Sequence, residues 1–203
     1  MKHDRPRVLI NALALAALGV SLLAPDTLPA AALILLCLLC ALAVLYRNLP
    51  RLSGVSEDNP KLRSVRQATV MTVAAVIVIA AYALGTEYGL LTPSEAQLKL
   101  FLSLLLSALM MLFGNLAPKL PFNRYTGLRL PWTIRDEDTW IVAHRILGYL
   151  SFPLGMLTLA GPRSPLPMDA WMQVWFAGPL LVWIGVPALL SGLFFWRKWR
   201  RLS

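Results

Sequence analysis

The chain has 203 residues, 58% of them apolar and 14% charged, with a positive mean hydropathy. Soluble domains carry about a quarter charged residues, and a bilayer core demands apolar runs of roughly 17 to 25 residues, so the composition excludes an ordinary water-soluble domain. The net charge of +9 does not argue for nucleic acid, because basic residues that border apolar spans obey a topological rule.

Six apolar stretches follow in order: Val8 to Ala24, Pro29 to Tyr46, Ala68 to Tyr88, Leu100 to Leu116, Ile146 to Gly161 and Trp171 to Trp196. Lys2, Arg5 and Arg7 before the first stretch, with small residues after it, imitate a signal peptide. A second span opens at once at Pro29 and four more come after it, so the expectation is an uncleaved first helix. Cys37 and Cys40 lie inside the apolar run from Leu33 to Leu45, which contains no His or carboxylate. They are read as small apolar residues, not as a metal or redox pair.

Outside the spans, the N-terminus, the 47–67 and 117–145 segments and the C-terminus together hold 17 Lys and Arg, and the other three connections hold two, Lys99 and Arg163. That asymmetry places both termini and both long loops in the cytoplasm. The connections Pro25 to Leu28, Gly89 to Lys99 and Pro162 to Ala170 are short and rich in turn residues, so consecutive helices pair as antiparallel hairpins. The expected fold is therefore an all-α integral membrane protein with six transmembrane helices and cytoplasmic N- and C-termini. Its expected divisions are 1–66, a two-span hairpin with a basic linker broken by Pro50, Gly54 and Pro60; 67–161, a core; and 162–203, the last span with its basic tail. Basic residues at these levels suit anionic lipid headgroups, and the 47–67 linker lacks the aromatics or the folded module that direct nucleic-acid binding requires.

The densest information lies between Gly114 and Gly148, GNLAPKLPFNRYTGLRLPWTIRDEDTWIVAHRILG, where Phe122, Tyr125, Trp132 and Trp140 stand among basic residues, Pro and Gly. Pro118 and Pro121 end the fourth span, and Gly127 permits a turn or a close approach. Thr133 followed by Asp136 resembles a capping box, which predicts a helix from about Ile134 into the fifth span. Asp136, Glu137 and Asp138 then face the positive end of that helix dipole. Asp136, Trp140, His144 and Gly148 recur at i, i+4 and form one stripe. Arg129 and Arg145 are expected to pair with the acidic cluster or with lipid phosphates. His144 either bonds a backbone carbonyl and fixes the loop or meets a ligand. Asn115, at the end of an apolar helix, is expected to bond across to a neighbouring helix or to the loop.

This block resembles that of the SdpI-type immunity family of bacterial membrane proteins, whose pattern is GNxxPKxxxNxxxGIRTPWTLxxxxxWxxTHRxxG. The matching positions are Gly114, Asn115, Pro118, Lys119, Asn123, Gly127, Arg129, Pro131, Trp132, Thr133, Trp140, His144, Arg145 and Gly148. Leu130 stands where the pattern has Thr, and Ala143 replaces the Thr before the His-Arg pair. Residues 1 to 66 carry no diagnostic motif, and the Pro-rich signature of the extra N-terminal module of larger members is not found. The resemblance implies a protein of the bacterial inner membrane that protects the cell against a membrane-active toxic peptide, with capture of a transcriptional repressor at the membrane in the best-known arrangement. It makes Asn115, Pro118, Lys119, Asn123, Gly127, Arg129, Pro131, Trp132, Thr133, Trp140, His144 and Arg145, with Asp136 added from the helix stripe, the candidate binding residues. No cofactor is implied. An enzyme is not expected, since the block lacks a Ser-His-Asp set, an HExxH pair and a Gly-rich phosphate loop. A small transporter is the other alternative, but Glu87, near a helix end, is the one charge inside the spans.

Overall fold

The computed structural model describes residues 5–23, 28–53, 58–122 and 127–201. Asn123 and Tyr125 of the block, most of the first external connection (25–27) and Gly54 of the linker lie outside the described residues. Among the described residues every regular element is helical, and six helical stretches are long and apolar enough to cross a membrane. The contacts divide the chain into two compact units, Met1–Thr92 and Pro93–Ser203.

In the first unit, α1 (Arg5–Leu23) and α2 (Leu28–Arg47) form a hairpin, a short α3 (Leu49–Ser53) follows, and α4 (Leu62–Glu87) packs on α2. α1 buries none of its residues, and Leu15, Leu18 and Leu22 stand largely exposed. A helix that is apolar all round and buries none of its residues against its neighbour is one whose solvent is lipid. The hydroxyls of Thr69, Thr72 and Thr86 donate to carbonyls of their own helix, which removes polar groups that hydrocarbon cannot satisfy. α4 ends where Gly89 takes φ +69° and the Leu91 amide folds back to the Gly85 carbonyl at 2.7 Å.

The second unit consists of α5 (Glu95–Leu116), α6 (Glu137–Thr158), a short α7 (Met168–Trp171) and α8 (Gly178–Arg200), with a single π-helical stretch, Met172–Ala177, leading into α8. Ser94 caps α5 in a reciprocal box with Gln97. α6 packs on both α5 and α8. The α5–α6 seam is closed by small residues: a side chain on Gly114 would overlap Ser151, one on Gly148 would come within 3.0 Å of the Gly114 carbonyl, and one on Gly155 would meet Met111. Such small residues let helix backbones approach closely, the main source of helix association in lipid. Ser151 also ties in α8, donating to the Leu147 carbonyl and accepting from the Trp183 indole at 2.7 Å. At the far end Trp171 is fully buried and donates to the Gly161 carbonyl at 2.8 Å, while buried Lys99 reaches the Leu166 carbonyl at 2.7 Å and Glu95.

The six expected spans coincide with the observed helices, which run a few residues longer at most ends. The sequence reading divided the chain after residues 66 and 161. By contacts α4 groups with the N-terminal hairpin, and α8 groups with α5 and α6 through the Trp183–Ser151 bond and the contacts described next.

Candidate functional site

The described residues of the block from Gly114 to Gly148 are held at one end of the second unit, where α5 ends, α6 begins and α8 ends. α5 closes through a 3-10 turn, Ala117–Lys119, in which Pro118 packs over Gly148. Lys119 donates to the Asn115 side-chain oxygen at 2.8 Å, and both are exposed. Of the two partners expected for Asn115, a neighbouring helix or the loop, it takes the second, the i, i+4 lysine at the start of the 117–145 segment.

Two side chains of α6 organise the loop before it. Trp140 and His144, one turn apart, are each 1% exposed and stack with ring centroids 3.9 Å apart, and Phe122 meets Trp140 edge-on at 5.8 Å. His144 Nδ1 lies 2.8 Å from the Trp140 carbonyl, which can only accept, and the Leu128 amide donates to Nε2 at 2.9 Å. The pair of partners requires a neutral imidazole protonated on Nδ1. Both ring nitrogens are engaged by backbone, so the ring fixes the loop, the first of the two roles that the sequence left open. Gly127 has φ +92°, and a side chain there would run into His144 Nε2 and the Trp140 ring. The close approach foreseen for Gly127 is thus to this aromatic stack.

Thr133, fully buried, accepts from the Leu130 amide at 2.9 Å and donates to the Leu128 carbonyl at 2.7 Å. Thr133 therefore pins the loop and does not cap α6. The helix starts at Glu137, three residues beyond the expected Ile134, and its N-cap is Asp136, whose carboxylate accepts from the Thr139 amide at 2.9 Å and the Thr139 hydroxyl at 2.6 Å. A carboxylate serves better than a hydroxyl here because the helix dipole adds to the hydrogen bonds.

α8 supplies the other side. Trp132 donates from its indole to Ser191 at 3.0 Å and rests against Gly192. Lys198 spans Asp136 at 2.5 Å and Asp138 at 2.8 Å. Partial burial alone pushes the Asp136 carboxyl up, but the hydrogen bonds from Lys198 and Thr139 outweigh it and hold the group below its ordinary value. The acidic cluster is therefore taken by Lys198. Arg129 and Arg145, which the sequence reading offered to it, are exposed and form no ion pair among the described residues. With Lys119 and Arg135 they leave this end of the unit lined by exposed positive charge, while Pro131 is an exposed corner of the loop.

The candidate residues thus fall into two groups. Gly127, Trp132, Thr133, Asp136, Trp140 and His144 build the loop. Arg129, Arg145, Lys119, Asn115, Pro118 and Pro131 are exposed on or beside it. Sequence reasoning missed Lys198, Ser191, Trp183 and Ser151, which read as tail charge and as small or aromatic residues of a span. The available signal for Lys198 was weak: two or more carboxylates and a basic tail assigned to the same side of the membrane.

Six helices long and apolar enough to cross a membrane, with a basic, aromatic-backed loop at one end of the second unit, define a multi-span α-helical membrane protein. Residues 119–191, a little over a third of the chain, match the model of the SdpI/YfhL protein family. The match bears out the resemblance from Lys119 to Gly148 and runs on to Ser191, the residue that anchors Trp132. No curated protein and no solved structure matches the chain.

Proposed function

We propose that this protein is an immunity protein of the bacterial inner membrane, which protects its cell against a membrane-active toxic peptide and works through the loop 127–136. The observation that carries the reading is a loop locked from behind by Trp140, His144 and Thr133 while Arg129 and Arg145 stay exposed and unpaired among the described residues. Cations held on a preorganised backbone bind with less ordering cost than the same cations on a mobile linker. In this reading Arg129 and Arg145 meet the acidic or carbonyl groups of the ligand, and the stack behind them supplies shape. Occupation of both His144 ring nitrogens by backbone supports a binding role for the loop in this reading. Capture of a cytoplasmic repressor by the same face, once the toxin is present, extends the proposal from the family resemblance.

The test is survival of a sensitive bacterium expressing the protein under challenge with an SDP-type toxic peptide, with membrane insertion verified by immunoblot of the membrane fraction. Wild type is expected to protect. Arg129→Ala and Arg145→Ala are expected to lose protection at normal membrane levels, and His144→Ala to lose it together with loop order. Protection by all three variants at the wild-type level would remove the loop from the mechanism, and a wild type that gives none would overturn the immunity reading.

A further inference from the structure

α2 and α4 diverge in the first unit and leave a cavity of about 350 Å³ lined by Leu39, Leu42, Ala43 and Tyr46 of α2 and by Val70, Val73, Ala74 and Ile77 of α4. The lining is two stripes at helical spacing, i, i+3, i+4, i+7 on each helix. Each stripe ends in polarity on the same side. On α2 it closes with Tyr46, 41% exposed, next to Arg47. On α4 it continues backward by whole turns from Val70 to Arg66 and Arg63, both exposed and in no ion pair among the described residues.

We propose that this groove is a binding site for one anionic phospholipid, with an acyl chain along the two apolar stripes and the phosphate at Arg63 and Arg66. Charge and dimensions both select this occupant. Seven residues of helix rise about 10 Å, so the groove runs from headgroup level through most of one leaflet, which is about 15 Å of hydrocarbon. The N-terminal end of α4 adds the positive pole of its dipole to the two guanidiniums, and the Tyr46 ring offers the apolar body and polar tip suited to that depth. The proposal is independent of the loop in the second unit.

The experiment is native mass spectrometry of the full-length protein in a mild detergent with equal amounts of dioleoyl phosphatidylglycerol and dioleoyl phosphatidylcholine. Two basic residues near a membrane surface favour anionic lipid by roughly thirtyfold together. Wild type is therefore expected to retain a single phosphatidylglycerol in preference to phosphatidylcholine by about that factor. The Arg63→Gln/Arg66→Gln pair should abolish the preference, and Ala74→Phe, at an exposed position that the fold does not depend on, should reduce retention of both lipids. Equal retention of the two lipids by wild type would overturn the proposal, as would undiminished phosphatidylglycerol on Ala74→Phe. A dimer that Ala74→Phe breaks, with no lipid retained, would overturn it as well and give the groove to a second copy of the chain.

Discussion

Gly127 and His144 are coupled through the space between them. The glycine adopts a backbone conformation that side-chain-bearing residues rarely take, and it does so directly over the imidazole that accepts the Leu128 amide. Gly127→Ala is expected to destabilise the loop by about 1–3 kcal/mol, from the strained φ alone. The collision with His144 and Trp140 adds to it. Trypsin cleavage after Arg129 in detergent-solubilised protein should rise clearly, with the helices still protected, and a cleavage rate equal to that of wild type would show that the loop does not depend on the glycine. Asn115 teaches the opposite lesson. It reads as an anchor because polar residues at helix ends in a membrane usually are, and its bond to Lys119 ties it to the start of the loop without fixing the 127–136 stretch.

At the scale of the element, the start of α6 is where capping, dipole and ion pair meet on one carboxylate. Asp136→Asn retains an N-cap of comparable quality and removes the charge, whereas Asp136→Ala removes both, so the two variants separate the terms. Loss of the cap is expected to cost about 1 kcal/mol, or roughly 2–4 °C in melting temperature for a protein of this size. The pH dependence has a definite sign. The folded carboxyl titrates below its ordinary value of 3.8, so its stabilisation is complete above that value and is lost as pH falls through the folded value. Lys198→Gln should therefore lower the melting temperature at pH 7, and its difference from wild type should shrink as the pH is taken below 3.8. A difference independent of pH would mean that Lys198 acts on α8 by itself.

For the whole molecule the open quantity is orientation. The ratio of 17 basic residues to two across alternate connections predicts that both ends face the cytoplasm. A green fluorescent protein fused after Ser203 should fluoresce, and alkaline phosphatase inserted in the Gly89 to Lys99 connection should be active. The reverse pattern would place the Arg129 and Arg145 loop on the outer face and make contact with a cytoplasmic repressor impossible. The loop would then meet the toxin first.

The number of membrane-length helices and the position of the informative block were legible in the sequence, because membrane insertion depends on local quantities; the α4–α5 hairpin expected across the Gly89 to Lys99 connection does not form as a packed pair among the described residues. Span length, apolar content and flanking charge are each written in a single window of about 20 residues. The block at 114–148 was recognisable on the same ground, as a run of fixed residue types at fixed offsets. What tertiary structure alone decided are the partners. Thr133 and Asp136 both suit a cap, and only the path of the loop made one of them its pin and the other the helix start. The acidic cluster had five basic candidates in its own loop region and was taken by Lys198, 60 and 62 residues away from its two partners. Trp132 and Ser151 likewise found Ser191 and Trp183 across α8. Such pairings rest on which helices touch, at which rotation and depth, and periodicity carries no information about distance between elements.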